Sequence, residues 1–347
     1  MNPDSELTIV IVSYGSRPDL EGCLPSIYRQ SYRPAAIIVV DNAPGDGTAE
    51  YLAAEHPDVS VVANVVNRGY AGGNNVGVAA ARSDWVLLLN PDTVLQDGVL
   101  EELMRAAREH PDALITPKLL NPDGTINACG LEMHVTGITS CRAYREPGDS
   151  VRGTQPVPVA SGAALLVRKA VFDDIGGFDE SYFMYMEDLD LSLRARILGY
   201  EIVCAADAVI THAYDIGMSP EKFGLLEQNR IHTLLKVLGR LTLLRLSAAL
   251  FLTELATWSF ALLRGPAYVR AKVTGYRWLV ASRPRLRPIR QKLQARRTLS
   301  DEELLRDATR ELPFDQLVGT ARSAELLNAL TTPLYRLTSV LVGRSAT

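Results

Sequence analysis

Two apolar runs near the start of this chain constrain its fold more than any other feature, because neither alternates. Leu7-Thr8-Ile9-Val10-Ile11-Val12 and Ala36-Ile37-Ile38-Val39-Val40-Asp41 show no polar face, the pattern of strands covered on both sides. Val59-Ser60-Val61-Val62-Ala63 and Trp85-Val86-Leu87-Leu88-Leu89 supply a third and a fourth strand. Residues 19–32, 48–55 and 74–82 read as the intervening helices. Strand and helix in strict turn imply a parallel sheet with right-handed crossovers. The fold class expected is therefore α/β, a Rossmann-like, mostly parallel sheet flanked by helices.

The pattern loosens after residue 114. Asn121-Pro122-Asp123-Gly124 reads as a turn and residues 146–158 as a mobile loop. Residues 159–167 and 201–212 contain further strand-like runs, around a helix that begins near Glu187 and ends at Gly199. From Pro220 onward the signal is almost wholly helical. The expected organisation is a domain at 1–216 and a helical extension at 217–347, with no internal repeat.

Of the 347 residues, 47% are hydrophobic, enough for a substantial core. The four cysteines, Cys23, Cys129, Cys141 and Cys204, form no CxxC pair and have no histidine at metal-ligand spacing. A disulfide framework or zinc knuckle is not expected, and a reducing compartment is. The polar, acidic first residues do not resemble a cleavable leader, so the expected location is cytoplasmic. The net charge of −4 gives no reason to expect a nucleic-acid partner.

That net charge conceals an asymmetry. Residues 264–297 hold eleven Lys or Arg and no Asp or Glu, and residues 246–263 just before them are apolar apart from Glu254 and a few hydroxyls. Arg245 and Glu254 argue against a true membrane span. The expectation is an amphipathic or re-entrant helix on the inner face of the membrane, drawn to anionic lipid by its basic neighbours. A core helix followed by a solvated basic helix is the alternative. The tail from Thr298 reads as helix with mixed charge, either an oligomer contact or packing against the first domain.

The chemistry-bearing residues fall where strands end, which is where an α/β sheet binds ligands. Ser13-Tyr14 ends the first strand and Asp41-Asn42 the second. There an exposed aromatic can stack on a base, and a carboxylate can accept a base N–H or a ribose hydroxyl. Asn67-Arg68-Gly69-Tyr70-Ala71-Gly72-Gly73-Asn74 opens a helix with glycines, a geometry suited to holding an anion on backbone N–H groups and equally to a tight packing turn. Arg68 would strengthen a diphosphate site.

Asn90-Pro91-Asp92 puts a carboxylate directly after the fourth strand. Its hard oxygens suit Mg²⁺ or Mn²⁺ bridging a diphosphate, and His212, after a later strand-like run, would complete a mixed site that suits Mn²⁺ better. Gly176-Gly177-Phe178-Asp179-Glu180 and the aromatic residues up to Tyr185 lead to Glu187-Asp188-Leu189-Asp190. The helix dipole alone favours acids in a first turn, but three in four positions beside aromatics exceed what a cap needs. Aromatic faces can hold a sugar while one carboxylate takes the proton of an acceptor hydroxyl.

These segments, together with Ile11-Val12-Ser13-Tyr14, Asp46-Gly47-Thr48 and Leu89-Asn90-Pro91-Asp92, resemble the family-2 glycosyltransferases of the GT-A fold, in their bacterial rhamnosyltransferase-like branch, over roughly residues 7 to 215. The resemblance implies an inverting sugar transferase using a nucleotide-diphosphate sugar, with dTDP-rhamnose favoured over UDP- or GDP-sugars. It also implies a glycan or polyprenyl-linked acceptor. Ser13, Tyr14, Asp41, Asn67, Arg68, Gly69, Gly73 and Asn74 would bind the nucleotide, Asp92 and His212 a divalent metal, Asp188 would be the base, and Tyr185, Glu187 and Asp190 would meet acceptor or sugar. Asn90 departs from a literal DxD motif, which weakens the expected metal dependence. Tyr276-Arg277-Trp278 lacks the glutamine of the processive synthases, which favours single-sugar transfer. A nucleotidylyltransferase would need a glycine-rich basic loop where Ser13-Tyr14-Gly15-Ser16-Arg17 stands, and a non-catalytic scaffold would have no need of acids at 92 and 188.

Overall fold

The computed structural model describes residues 6–213, 217–312, 316, 328 and 331–337. The chain divides into two compact units, one of residues 1–131, 141–195 and 200–216, the other of 132–140, 196–199 and 217–347. Two short stretches, 132–140 and 196–199, thus belong with the C-terminal unit, although sequence assigns them to the first domain. The proposed boundary at 216 and most of the tail beyond 312 lie outside the described residues.

The first unit opens with β1 (Leu7–Ser13), α1 (Arg17–Tyr28), β2 (Ala36–Asp41), α2 (Thr48–Glu55), β3 (Ser60–Ala63), α3 (Gly69–Ala80) and β4 (Trp85–Leu89). It continues through β5 (Thr93–Leu95), α4 (Val99–Glu109), β6 (Leu114–Leu120) and β7 (Ile126–Cys129); the short β8 (Leu131–Met133) and β9 (Thr139–Cys141) fall mostly in the 132–140 stretch of the other unit, and β10 (Thr154–Pro156) and β11 (Ala164–Arg168) follow in the first. It closes with α5 (Lys169–Ile175), α6 (Glu187–Ile197) and β12 (Ile202–His212). The main sheet runs β10-β12-β6-β11-β4-β1-β2-β3.

Strands β3, β2, β1 and β4 are parallel neighbours, and β1 and β4 are buried throughout or nearly so, as their unbroken apolar sequence requires. The far half is mixed: β11 runs antiparallel to both β4 and β6, while β12 is parallel to β6. One consequence positions the chemistry. Because β11 runs backwards, its first residue, Ala164, lies opposite Leu89 at the end of β4, so the loop before β11 reaches the same edge as the C-terminal ends of β1, β2 and β4.

Helix α3 lies close on this sheet because two of its residues lack side chains. A Cβ on Gly77 would come within 2.2 Å of Val10 Cγ1, and one on Gly73 within 2.7 Å of Val12 Cγ1. The helix starts at Gly69, five residues before the expected start at Asn74. The segment expected as a mobile loop, 146–158, contains β10, paired with β12.

The second unit is built from α7 (Pro220–Val237), α8 (Arg240–Arg245), α9 (Ser247–Arg264), α10 (Pro266–Ala295) and α11 (Asp301–Leu305). Ser219 caps α7 and a Ser300–Glu303 capping box starts α11. Its interior holds charge. Glu227 pairs with Arg230 at 2.9 Å and with Lys272 at 2.5 Å. Glu254 pairs with the same two cations at 2.8 and 3.1 Å and accepts from Tyr276 Oη. Glu254 therefore ties α9 to its neighbours, and among the described residues no helix is long and apolar enough to cross a membrane.

Candidate active site

Ser13 and Asp41 end adjacent parallel strands in direct register. Both are buried, and Ser13 Oγ and Asp41 Oδ2 have no hydrogen-bond partner among the described residues. Asp41 Oδ1 accepts from the Ala43 N–H at 2.9 Å. Burial pushes the Asp41 carboxyl up, and the Ala43 N–H opposes that shift. Buried polar atoms left unsatisfied are costly, so this rim suits a ligand that brings its own donors. Tyr14 stands 62% exposed beside it.

The glycine-rich segment divides into two parts. Asn67 and Arg68 are exposed; Gly69, Gly73 and Asn74 are buried. Gly69 adopts φ +66° and lies so near the Phe183 carbonyl that a Cβ would come within 2.2 Å of its oxygen. Asn42 Nδ2 donates to the Gly69 carbonyl at 2.9 Å, Gly73 packs on Val12, and Asn74 donates to the Tyr70 carbonyl. Packing and hydrogen bonding within the fold thus hold Gly69, Gly73 and Asn74 in place at the start of α3. Arg68 is ion-paired with Glu180 at 2.6 Å, both side chains well exposed.

Asp92 and His212 are brought together by backbone pairing. Strand β5 runs antiparallel to β12 with Thr93 opposite His212, which sets His212 Nε2 3.3 Å from Asp92 Oδ1. His212 is buried, while Asp92 is about one-third exposed and its Oδ1 accepts no hydrogen bond among the described residues. Thr93 Oγ1 donates to the Asn90 carbonyl at 2.6 Å and pins the turn between β4 and β5. Carboxylate beside imidazole is a donor set that fits a borderline divalent cation. Among the described residues no cluster of three or more His, Cys, Asp or Glu side chains could hold a metal ion.

The acidic cluster follows strained backbone. Phe183, Tyr185 and Met186 have φ of 61°, 68° and 68°, a region non-glycine residues seldom occupy and one found disproportionately at functional sites. Tyr185 is half-buried. Glu187 is buried with Oε2 unpartnered among the described residues; burial and then the charge of Asp188 push its carboxyl well up. Asp188 is half-buried. Burial raises its carboxyl too, against N–H groups that favour the ionised form, among them Gly162 to Oδ2 at 3.1 Å. Asp190 is different. It is fully buried, with one oxygen accepting from Tyr182 Oη at 3.0 Å and the other paired to Arg194 at 2.8 Å. Both of its oxygens are thus engaged within the fold.

One short segment joins the two acidic centres. The Gly162 N–H meets Asp188, the Gly162 carbonyl accepts from Tyr70 Oη, and the next carbonyl, Ala163, accepts from the Asn90 N–H at 2.9 Å. Tyr70 is pushed well up by burial first and then by the charges of Glu187, Asp188 and, more weakly, Asp92. Sequence reasoning missed Gly162, Tyr70 and Asn42 as organisers of this edge. Tyr70 stood inside a noticed motif, but Gly162 carries no signal until β11 is known to run backwards.

A sheet of this order, with unpartnered polar atoms at the ends of β1 and β2 and acids after β4 and in α6, is the architecture of a GT-A glycosyltransferase. Two solved structures share the fold: GalNAc-T7 with UDP, GalNAc and Mn²⁺ (TM-score 0.55, 14% identity, 66% of this chain and 47% of that one), and residues 1–349 of S. aureus TarS in complex with UDP (0.52, 15%, 96% and 90%). The chain thus spans about half the length of the GalNAc-T7 structure.

The model of the family described as Glycosyl transferase family 2 matches residues 8–176. The chain is 32% identical over 246 residues to the N-acetylglucosaminyl-diphospho-decaprenol L-rhamnosyltransferase of Mycobacterium tuberculosis, covering 62% of this chain and 78% of that protein. It is 28% identical over 200 residues to the low-salt glycan biosynthesis hexosyltransferase Agl10 of Haloferax volcanii, covering 55% and 62%. The chain belongs to glycosyltransferase family 2, and within it is rhamnosyltransferase-like.

Proposed function

We propose that this glycosyltransferase inverts configuration and moves L-rhamnose from dTDP-β-L-rhamnose to a lipid-linked or cell-envelope glycan acceptor, working peripherally at the inner, cytoplasmic face of the membrane. The observation that carries the mechanism is the segment 162–163, hydrogen-bonded to Asp188 on one side and to the turn that leads to Asp92 on the other. Two carboxylates far apart in sequence thereby face one edge of the sheet.

In this reading Ser13 and Asp41 take the nucleoside through their unpartnered oxygens and Tyr14 offers a face to the base. Asn67 and Arg68 meet the diphosphate. Asp92 and His212 would hold a divalent cation, Mn²⁺ or Mg²⁺, which when bound neutralises charge on the departing diphosphate. Tyr185 and Glu187 border the sugar and acceptor. Asp188 accepts the proton of the acceptor hydroxyl as that oxygen bonds to the anomeric carbon. The anomeric C–O bond to the diphosphate breaks, and its electron pair leaves with the nucleoside diphosphate. A base must be ionised to act, and the raised pKa of Asp188 makes it a stronger one than an ordinary aspartate.

The name of the 32%-identical relative supports rhamnose as the sugar and a polyprenyl-diphosphate-linked sugar as the acceptor. A UDP- or GDP-sugar donor, such as galactofuranose, another hexose or mannose, is the second reading; the two solved structures of the same fold each hold UDP. Calorimetric titration with dTDP, UDP and GDP, each with Mn²⁺, separates them. The proposal expects dTDP to bind at least about tenfold more tightly, or about 1.4 kcal/mol; equal or tighter UDP or GDP binding overturns the dTDP assignment.

A further inference from the structure

Helices α8 and α9 leave one apolar face uncovered. Leu241, Leu244, Phe251, Leu255 and Leu262 recur at steps of three, four and seven residues and are 56, 69, 65, 49 and 66% exposed. The other side of α9 is committed to the interior: Thr253 and Ala261 are buried and Glu254 pairs with Arg230 and Lys272, while Trp258, bordering the exposed row, is half-buried and donates to Tyr276. A row of large apolar side chains in water marks a surface that something covers.

Charge identifies the partner. The contacts Trp258–Tyr276, Thr257–Lys272 and Phe260–Tyr268 set α10 antiparallel to α9, so α10 beyond Tyr276 runs back toward the start of α9. That stretch carries Arg277, Arg283, Arg285 and Arg287, all exposed, and no acid occurs between residues 264 and 297. A seam between two copies of a helix is normally flanked by charges of both signs. Two copies meeting here would bring cations against cations. A surface that is apolar in depth and negative at its boundary satisfies both features.

We propose that the apolar face of α8 and α9 inserts into the boundary of an anionic lipid bilayer while the arginines of α10 meet its phosphates. The inference deepens the proposed function, since a lipid-linked acceptor would be met at that same surface, but its own evidence is independent of the donor chemistry. The test uses the full chain without sugar nucleotide or acceptor, co-sedimented with vesicles of phosphatidylcholine alone or mixed with phosphatidylglycerol. The protein should bind the anionic vesicles about tenfold or more tightly than the neutral ones and lose that preference in high salt.

Phe251→Glu with Leu255→Glu should abolish binding to both kinds of vesicle, and Arg283→Glu with Arg287→Glu should abolish the preference alone. All four positions are exposed, and unchanged melting temperatures confirm that the variants fold. Wild-type binding by the Phe251/Leu255 variant overturns the proposal, as does indifference of the natural chain to lipid charge. So does a natural dimer that this variant converts to monomer while vesicle binding persists, since the face would then belong to a second copy. Vesicle binding by Asp188→Asn should equal that of the natural chain, which separates failure here from failure of the transfer reaction.

Discussion

Glu187 and Glu227 are both buried glutamates, in different units, and their surroundings shift them in opposite directions. Burial raises Glu187, and its nearest charge, Asp188, raises it further. Burial raises Glu227 as well, but Arg230 and Lys272 outweigh that and bring it down to about 2. A carboxylate in a scaffold is surrounded by its counter-ions; one left without them is costly unless it has work to do. The contrast separates a carboxylate held among its counter-ions from one left beside another acid.

The largest expected effect tests the site side of that contrast. Asp188→Asn should lower kcat by about 10²- to 10⁴-fold, read as nucleoside diphosphate release, while calorimetry shows donor binding and thermal scans show stability little changed. In the natural enzyme the acidic limb of the kcat profile should lie above the usual aspartate range, because activity is lost as pH falls through the raised pKa of Asp188. Ordinary activity in the variant would remove Asp188 from the mechanism.

Next comes the scaffold. Arg230→Ala removes one of the two buried cations paired with both Glu227 and Glu254, leaving Lys272 to face two carboxylates, and should cost about 3–5 kcal/mol of stability, measured by urea unfolding. His212→Ala should raise the Mn²⁺ concentration for half-maximal activity by at least about tenfold, the equivalent of ~1.4 kcal/mol. An unchanged metal requirement would leave Asp92 without its proposed partner.

The smallest effect has the sharpest sign. Glu187 binds its proton more tightly folded than unfolded, so it costs stability progressively as pH rises above the ordinary glutamate value of 4.5 toward its raised folded value. Glu187→Gln should therefore raise the melting temperature at neutral pH by roughly 2–4 °C and give no gain near pH 4. Glu227 behaves oppositely: its contribution is complete above 4.5 and lost as pH falls toward about 2. Melting curves of Glu187→Gln and Glu227→Gln across pH that run parallel would erase the distinction between the two glutamates.

The parallel half of the sheet was legible because two-face burial writes itself as unbroken aliphatic sequence in β1 and β2. Asp92 and Asp188 stand out as candidates in the sequence because acids beside strand ends or aromatic runs are conspicuous. The mixed half was not, since the direction of β11 depends on pairing with β4 and β6 rather than on its own residues. The same holds for Asp190: an acid in a first turn reads alike whether it faces solvent or, as here, Arg194 and Tyr182. The glycines of α3 were noticed for their freedom, whereas Gly73 and Gly77 serve by being small.

Gly69 touches the Phe183 carbonyl, and Phe183 begins the strained turn that delivers Asp188. Where the donor's diphosphate would enter and where the acceptor's proton would leave are thus mechanically one piece, and a nucleotide that settles against Asn67 and Arg68 also sets the stage for the base. Sequential kinetics with donor first should follow, the nucleoside diphosphate competing with donor and not with acceptor. Random order would show that the two loops move apart freely.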